Sequence, residues 1–149
     1  MIITGPGHGT SSDPGHRYSL DECAGAAGDV LAALDIRGSV DWVGNAWGGH
    51  VGIVFAATWP DRCRTLATLG TPTEAYSRSG QFLFRVLLAI YRVVGMADFL
   101  SSGIRDALLS SRTRSIDPEA VALVLDCLRS MDRRALANAM VRSPLGART

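Results

Sequence analysis

The sequence predicts an α/β fold, in which a short parallel sheet with crossover helices precedes a segment that is helical throughout. Two observations carry this prediction. Strand-like and helix-like hydrophobic patterns alternate over residues 1–72, as in parallel sheets. No strand-like pattern follows residue 69, whereas apolar residues at helical spacing continue. The 149 residues suit one compact domain, and a hydrophobic content of 47% suffices for a buried core.

The first part of the chain alternates between the two kinds of element. Ser19 and Glu22 form a capping-box pattern at the start of a helix that Gly38 is expected to end. A helix that Pro60 ends is expected over residues 50–58. About three parallel strands result, and they are expected at residues 1–4, 40–43 and 63–69.

The rest of the chain is predicted to be helical. Asp117 and Pro118 suit the N-cap and first turn of a helix, whereas the Ser- and Arg-rich residues 101–115 give a weaker helical signal. Helices are therefore expected at residues 82–94, 117–128 and 132–141. The predicted organisation is a core over residues 1–72, a helical region over residues 73–142, and a frayed tail over residues 143–149.

Composition argues against several classes of protein. The net charge is +1 and the 15 basic residues, all arginine, are scattered, so no nucleic-acid site is predicted. Three widely spaced cysteines fit neither a metal site nor a disulfide framework and suit a reducing, cytoplasmic setting. Arg85 and Arg92 interrupt the most apolar stretch, which is too short to span a membrane.

A glycine-rich turn follows the strand at residues 40–43. The segment Gly44-Asn45-Ala46-Trp47-Gly48 has the spacing Gly-x-nucleophile-x-Gly of a nucleophile elbow. An elbow places its central residue on a strained turn above a sheet, where the next helix N-terminus stabilises a developing oxyanion. The residue at the nucleophile position is Ala46, which has no nucleophilic atom.

The motifs around this turn resemble those of the α/β-hydrolase superfamily. The turn is followed by Pro60-Asp61-Arg62-Cys63 and by Gly70-Thr71-Pro72, which resemble the family's P-x-R-V and G-T-P segments. Upstream, residues 5–11 resemble its D-x-x-G-x-G-x-S loop, and Tyr18-Ser19-Leu20 its Y-S-L helix start. The resemblance covers nearly the whole chain. It implies a truncated α/β-hydrolase core followed by a helical cap, in a protein related to ester or epoxide hydrolases.

The departures from the family pattern predict loss of activity. Ala46 replaces the nucleophile, Asn45 the usual histidine, and Thr4 an aspartate, while the family's oxyanion motif, acid and base fall outside this chain. The resemblance therefore implies an inert hydrolase in which only the Trp47 N–H remains as an oxyanion donor. The expected substrate-binding residues are Asn45, Trp47, His50, Phe82 and Val86. No metal or cofactor is expected.

Several alternatives remain open from the sequence. The chain is either an inert hydrolase or a non-catalytic protein that binds a small apolar ligand or a partner, and a deliberately introduced alanine is a third reading. A second chain or self-association is expected to complete the sheet, because strands lacking neighbours expose unpaired backbone groups. Trp47 either lines a pocket or packs in the core. For His50, packing or a structural hydrogen bond is favoured over a role in the site.

Overall fold

A computed structural model of the chain describes residues 1–74, 77–95, 97–130 and 138. Strands and helices alternate first and helices follow, as the sequence predicts. The elements are α1 (Leu20–Ala33), β1 (Val40–Asn45), α2 (Trp47–Thr58), β2 (Cys63–Leu69), α3 (Arg78–Val94), α4 (Asp98–Leu108), α5 (Ser111–Ile116) and α6 (Pro118–Ser130), with a 3₁₀ turn at Pro60–Arg62.

β1 and β2 form a parallel pair joined by α2, which is the βαβ unit that the sequence predicts. Asp41 on β1 accepts hydrogen bonds from the Arg64 guanidinium and from Thr65 Oγ1, the latter at 2.7 Å. Hydrogen bonds from Arg64 and then Thr65 hold the pKa of Asp41 at about 2. These exposed contacts fix the register of the two strands from one side of the sheet.

The strand expected at residues 1–4 is absent, so the described chain has two strands rather than three. Residues 1–5 have no regular secondary structure, and Ile2 is 95% exposed. A strand needs a neighbour to accept and donate its backbone hydrogen bonds. In the described part of the chain, β1 and β2 pair only with each other, and residues 1–4 pair with neither strand.

The core lies between α1, α2 and one face of the sheet. Its buried cluster combines Ala24 and Leu31 of α1 with Val51 and Phe55 of α2. The Phe55 ring stacks on Trp42 of β1 at 5.1 Å between centroids. Small residues on α1 let the two helices approach closely, so a few large side chains suffice to fill the space.

The start of α1 is as predicted, but its end is not. Ser19 Oγ accepts from the Glu22 N–H, and the Glu22 carboxylate accepts from the Ser19 N–H, which completes the capping box. The helix ends at Ala33 rather than at Gly38. Asp35 takes a φ of 55°, and this left-handed residue ends the helix before the glycine is reached.

The helices after β2 cover more of the chain than the sequence predicts. α3 begins at Arg78 instead of residue 82, because Ser77 accepts from the Gly80 N–H and caps it. The weak signal over residues 101–115 corresponds to α4 and α5. Asp117 caps α6 as predicted, accepting from the Ala120 N–H at 2.9 Å. The predicted helix at 132–141 and the tail at 143–149 lie outside the described residues, apart from Asn138.

Neither a membrane span nor a metal cluster is found in the described chain. None of its helices combines the length and apolarity needed to cross a bilayer. Its His, Cys, Asp and Glu side chains form no group that could hold a metal ion. Cys23, Cys63 and Cys127 are free thiols.

Close contact between α2 and β1 makes Gly52 a sensitive position. A Cβ at Gly52 would lie 2.6 Å from Trp42 Cδ1 and 2.9 Å from Leu66 Cδ1. Gly52→Ala is therefore expected to lower the free energy of unfolding by about 1–3 kcal/mol. Gly25→Ala on α1 meets open space and should raise it by about 0.5–1 kcal/mol through helix propensity. Urea unfolding of both variants measures the difference, and a neutral Gly52→Ala would contradict the packing described.

Candidate active site

A sharp turn joins β1 to α2 at Ala46. Its backbone angles are φ 47° and ψ −112°, a region that non-glycine residues rarely adopt. The Ala46 N–H donates to Leu69 O at 2.8 Å, and Ala46 O accepts from the Gly49 N–H at 3.1 Å. The side chain at position 46 is exposed at the carboxyl end of β1, in front of the α2 N-terminus. Ala46 thus lies at a tight strand-to-helix junction with a positive φ.

Two glycines allow this turn to lie so close to its surroundings. A Cβ at Gly44 would lie 2.6 Å from the Gly49 backbone nitrogen, and one at Gly49 would lie 2.9 Å from Thr71 Cβ. Both distances are shorter than real Cβ contacts allow, so side chains at these positions would push the helix away from the strands. Gly48, by contrast, faces open space.

Thr71 supports the turn from the loop after β2. Its hydroxyl lies 3.3 Å from Ala46 O and 3.2 Å from Leu69 O, so one proton is shared between two carbonyl groups. The hydroxyl is thereby engaged with the backbone on both sides of the elbow. Sequence reasoning identified the Gly70-Thr71-Pro72 motif but assigned no role to its threonine, because the contact depends on how the two strand ends pair.

The backbone and the side chain of Trp47 lie in different surroundings. It is the first residue of α2, where backbone N–H groups have no carbonyl partner within the helix. Its half-buried indole packs against the core and donates to the Cys23 thiol of α1. Burial nevertheless raises the pKa of Cys23. The indole thus lies among packed residues of the core, while an oxyanion role for the N–H stays a prediction.

A hydrogen bond from the His50 side chain connects α2 to the loop after β2. The residue is buried, and its Nε2 lies 2.7 Å from Pro72 O, so Nε2 donates its proton to this carbonyl. Nδ1 is buried without a hydrogen-bond partner among the described residues. The hydrogen bond is the structural alternative that the sequence analysis favours for His50.

The remaining candidate residues fall into two places. Asn45 is exposed at the end of β1, with its Oδ1 3.6 Å from where a Gly70 Cβ would be, and so lies beside the elbow. Phe82 and Val86 lie on α3 and are 70% and 38% exposed. The element pairs in close contact with β1, β2 and α2 do not include α3. Asn45, Ala46, Trp47 and His50 are therefore grouped, whereas a pocket wall formed by Phe82 and Val86 stays a prediction.

The glycine-rich loop before α1 is held by its own polar contacts. His8 Nδ1 lies 2.9 Å from Pro6 O, and Ser11 Oγ donates to Thr4 O at 3.0 Å. The buried Tyr18 hydroxyl donates to Pro6 O at 3.3 Å, and burial raises the pKa of Tyr18 to about 12. The His8 ring is thus engaged with the backbone of its own loop.

Comparison with known proteins agrees with this geometry. Residues 5–94, a range that includes the elbow, match the family described as the alpha/beta hydrolase fold. The chain belongs to this family. The match ends where α3 ends, so it covers the two strands, the first three helices and the loops that connect them.

Three relatives illustrate the range of the family. A poly(3-hydroxyalkanoate) depolymerase from Ectopseudomonas oleovorans is 36% identical over 76 residues, which are 51% of this chain and 26% of the depolymerase. An esterase structure from Thermogutta terrifontis has a TM-score of 0.81 at 21% identity, covering 94% of this chain and 50% of the esterase. The N-acyl homoserine lactonase AidH has a TM-score of 0.62 at 26% identity, covering 95% of this chain and 49% of the lactonase.

The chain therefore spans about half the length of these solved structures and about a quarter of the depolymerase. The esterase likeness, at 21% identity, establishes the fold alone.

The strain at Ala46 predicts that a glycine substitution stabilises the protein, whereas glycine substitutions usually destabilise it. Glycine adopts this φ without a Cβ penalty, so Ala46→Gly is expected to raise the free energy of unfolding by about 1 kcal/mol. The matched control is Ala57→Gly at an exposed position of α2, which should lower it by about 0.5–1 kcal/mol. Chemical denaturation of both variants provides the comparison. Equal destabilisation by the two changes would show that the turn at Ala46 is relaxed.

Proposed function

We propose that this chain is a catalytically inert α/β-hydrolase-family protein that descends from an ester hydrolase. The observation that carries the proposal is Ala46, a methyl side chain at the exposed tip of an otherwise complete elbow. Acyl transfer through this fold needs a hydroxyl, thiol or carboxylate at that point to attack the carbonyl carbon. With a methyl group there, no covalent intermediate forms.

The described histidines provide no replacement base. His50 Nε2 donates to Pro72 O and its Nδ1 is buried, so neither nitrogen faces a substrate at the elbow. His8 and His16 have ring nitrogens at hydrogen-bond distance from the carbonyl groups of Pro6 and Pro14. In the described part of the chain, the hydrogen bonds of the histidine rings involve no Ser, Thr or Cys side chain, and such a hydrogen bond is what activates a nucleophile.

One element of transition-state stabilisation is retained. In this proposal the Trp47 N–H, in the first turn of α2, donates to an oxyanion above Ala46, and the helix dipole adds to the stabilisation. Without a nucleophile this donor polarises a bound carbonyl but transfers no group. The N-acyl homoserine lactonase AidH is 26% identical, and a lactone is a cyclic ester, which favours an ester rather than an epoxide as the ancestral substrate.

An assay with activated esters tests the proposal. We expect the purified chain to hydrolyse p-nitrophenyl acetate and p-nitrophenyl butyrate no faster than an equal mass of the heat-denatured chain. Saturable turnover that is lost on changing His50→Gln would contradict inertness. An epoxide substrate such as styrene oxide should also remain unchanged.

Placing a serine at position 46 tests whether the missing nucleophile alone accounts for inactivity, or whether a base that activates it is missing too. We expect Ala46→Ser to gain no esterase activity and to remain unlabelled by a fluorophosphonate, as measured by intact-protein mass spectrometry, because no base lies beside it. Ala57→Ser, at an exposed position of α2, the helix that follows Ala46, is the matched control. Selective labelling of Ser at position 46 would show that the chain still activates a nucleophile.

A second candidate function, association with another chain, is favoured by the uncovered face of the sheet. Trp42 and Leu66 face α2, so the alternation of strand residues places Val43 and Leu69 on the opposite face. Val43 is 72% and Leu69 58% exposed. Parallel sheets are ordinarily covered on both faces, and each strand here also has an unpaired edge.

Self-association through this face is tested by sedimentation equilibrium. If a second copy covers it, Val43→Ser should weaken association by roughly tenfold, because a buried valine contributes about 1.5–3 kcal/mol. Val30→Ser, on the partly exposed surface of α1, should leave association unchanged. A chain that remains monomeric at every concentration would exclude a second copy as the covering partner.

A further inference from the structure

The helix α3 carries a continuous exposed apolar surface, which we call the α3 stripe. Successive residues of a helix are rotated by about 100°, so the stripe occupies about 140° of the helix circumference. Its members are between 37% and 81% exposed. They are Phe82, Leu83, Val86, Leu87, Val93 and Val94. Single exposed apolar residues are ordinary, but a contiguous surface of this kind marks an interaction site.

The charges of the same helix are all of one sign. Its arginines are Arg78, Arg85 and Arg92, and no acidic residue lies within Arg78–Val94. The three positions are two turns apart and form a row beside the Phe82 edge of the stripe, about 21 Å long. The net charge of +1 for the whole chain therefore conceals a local charge of +3 on one helix.

Much of the stripe is exposed in the described chain, most of all at Phe82, Leu83, Val93 and Val94. Close contacts join α1 with α2, α2 with both strands, and α4 and α5 with α6, but none of these pairs includes α3. The helix also lacks the length and apolarity of a membrane span. An exposed helix with a wide apolar face flanked by arginines is suited to lie in the plane of a lipid surface, with its apolar side chains among the acyl chains.

We propose that α3 binds the surface of an anionic lipid membrane, with the α3 stripe inserted and the exposed Arg78 and Arg85 contacting phosphate headgroups. Charge complementarity favours this occupant over a second copy, because pairing two α3 helices would bring together six arginines and no acid. Guanidinium groups suit phosphate oxygens in particular, since they donate two parallel hydrogen bonds. The proposal is independent of chemistry at Ala46.

Vesicle flotation of the purified full chain tests this proposal. We expect the chain to float with vesicles of phosphatidylcholine mixed with phosphatidylglycerol, and more weakly with vesicles of phosphatidylcholine alone. Arg85→Gln should lower the partition coefficient for the mixed vesicles about fivefold, the effect of one basic residue near an anionic surface. Arg112→Gln removes the same charge from an exposed position of α5 and should leave partitioning unchanged.

A second pair of variants tests insertion of the apolar side chains. Leu83→Gln should lower partitioning into both kinds of vesicle by roughly tenfold. Leu123→Gln, a leucine of similar exposure on α6, should not change it. Circular dichroism checks that each variant keeps its helix content.

Three outcomes would overturn the proposal. The first is equal binding to neutral and mixed vesicles, and the second is absence of binding to both. The third is a concentration-dependent increase in mass that Leu83→Gln abolishes, which would identify a second copy as the occupant of the stripe.

Discussion

The close approach of α2 to the two strands is the constraint on which the rest of the structure depends. Three glycines, Gly44, Gly49 and Gly52, lie where a Cβ would meet a neighbouring backbone or side chain. Their absence of side chains lets the Trp42 indole donate to Gly48 O at 3.1 Å and stack on Phe55. The sharp turn at Ala46 follows from this approach, because the chain must reverse from strand to helix within one residue.

Much of this arrangement could be predicted from the sequence, because it depends on patterns of a few neighbouring residues. β2 and the starts of α1 and α6 depend on short patterns, namely a run of strand-forming residues, a capping box and an Asp-Pro pair. The elbow is likewise a contiguous motif. The family resemblance and the parallel βαβ unit both follow from these signals, and both are confirmed.

What could not be predicted depends on contacts between distant residues. Residues 1–4 have strand-like composition, but a strand exists only where a neighbour pairs with it, and composition does not reveal whether one is present. The end of α1 is set by the left-handed Asp35, a conformation that glycine favours far more often. The hydroxyl of Thr71 and the ring of His50 find their partners only after β2 pairs with β1.

The backbone strain at Ala46 has a consequence for how such a scaffold changes over time. The turn is held from both sides, by Leu69 O before the helix and by the Gly49 N–H within it, and neither contact involves the side chain at position 46. The shape of the elbow is thus uncoupled from the reaction that it serves in active relatives. A substitution at position 46 can therefore change which chemical group stands at the turn, while the surrounding residues stay under the same packing constraints.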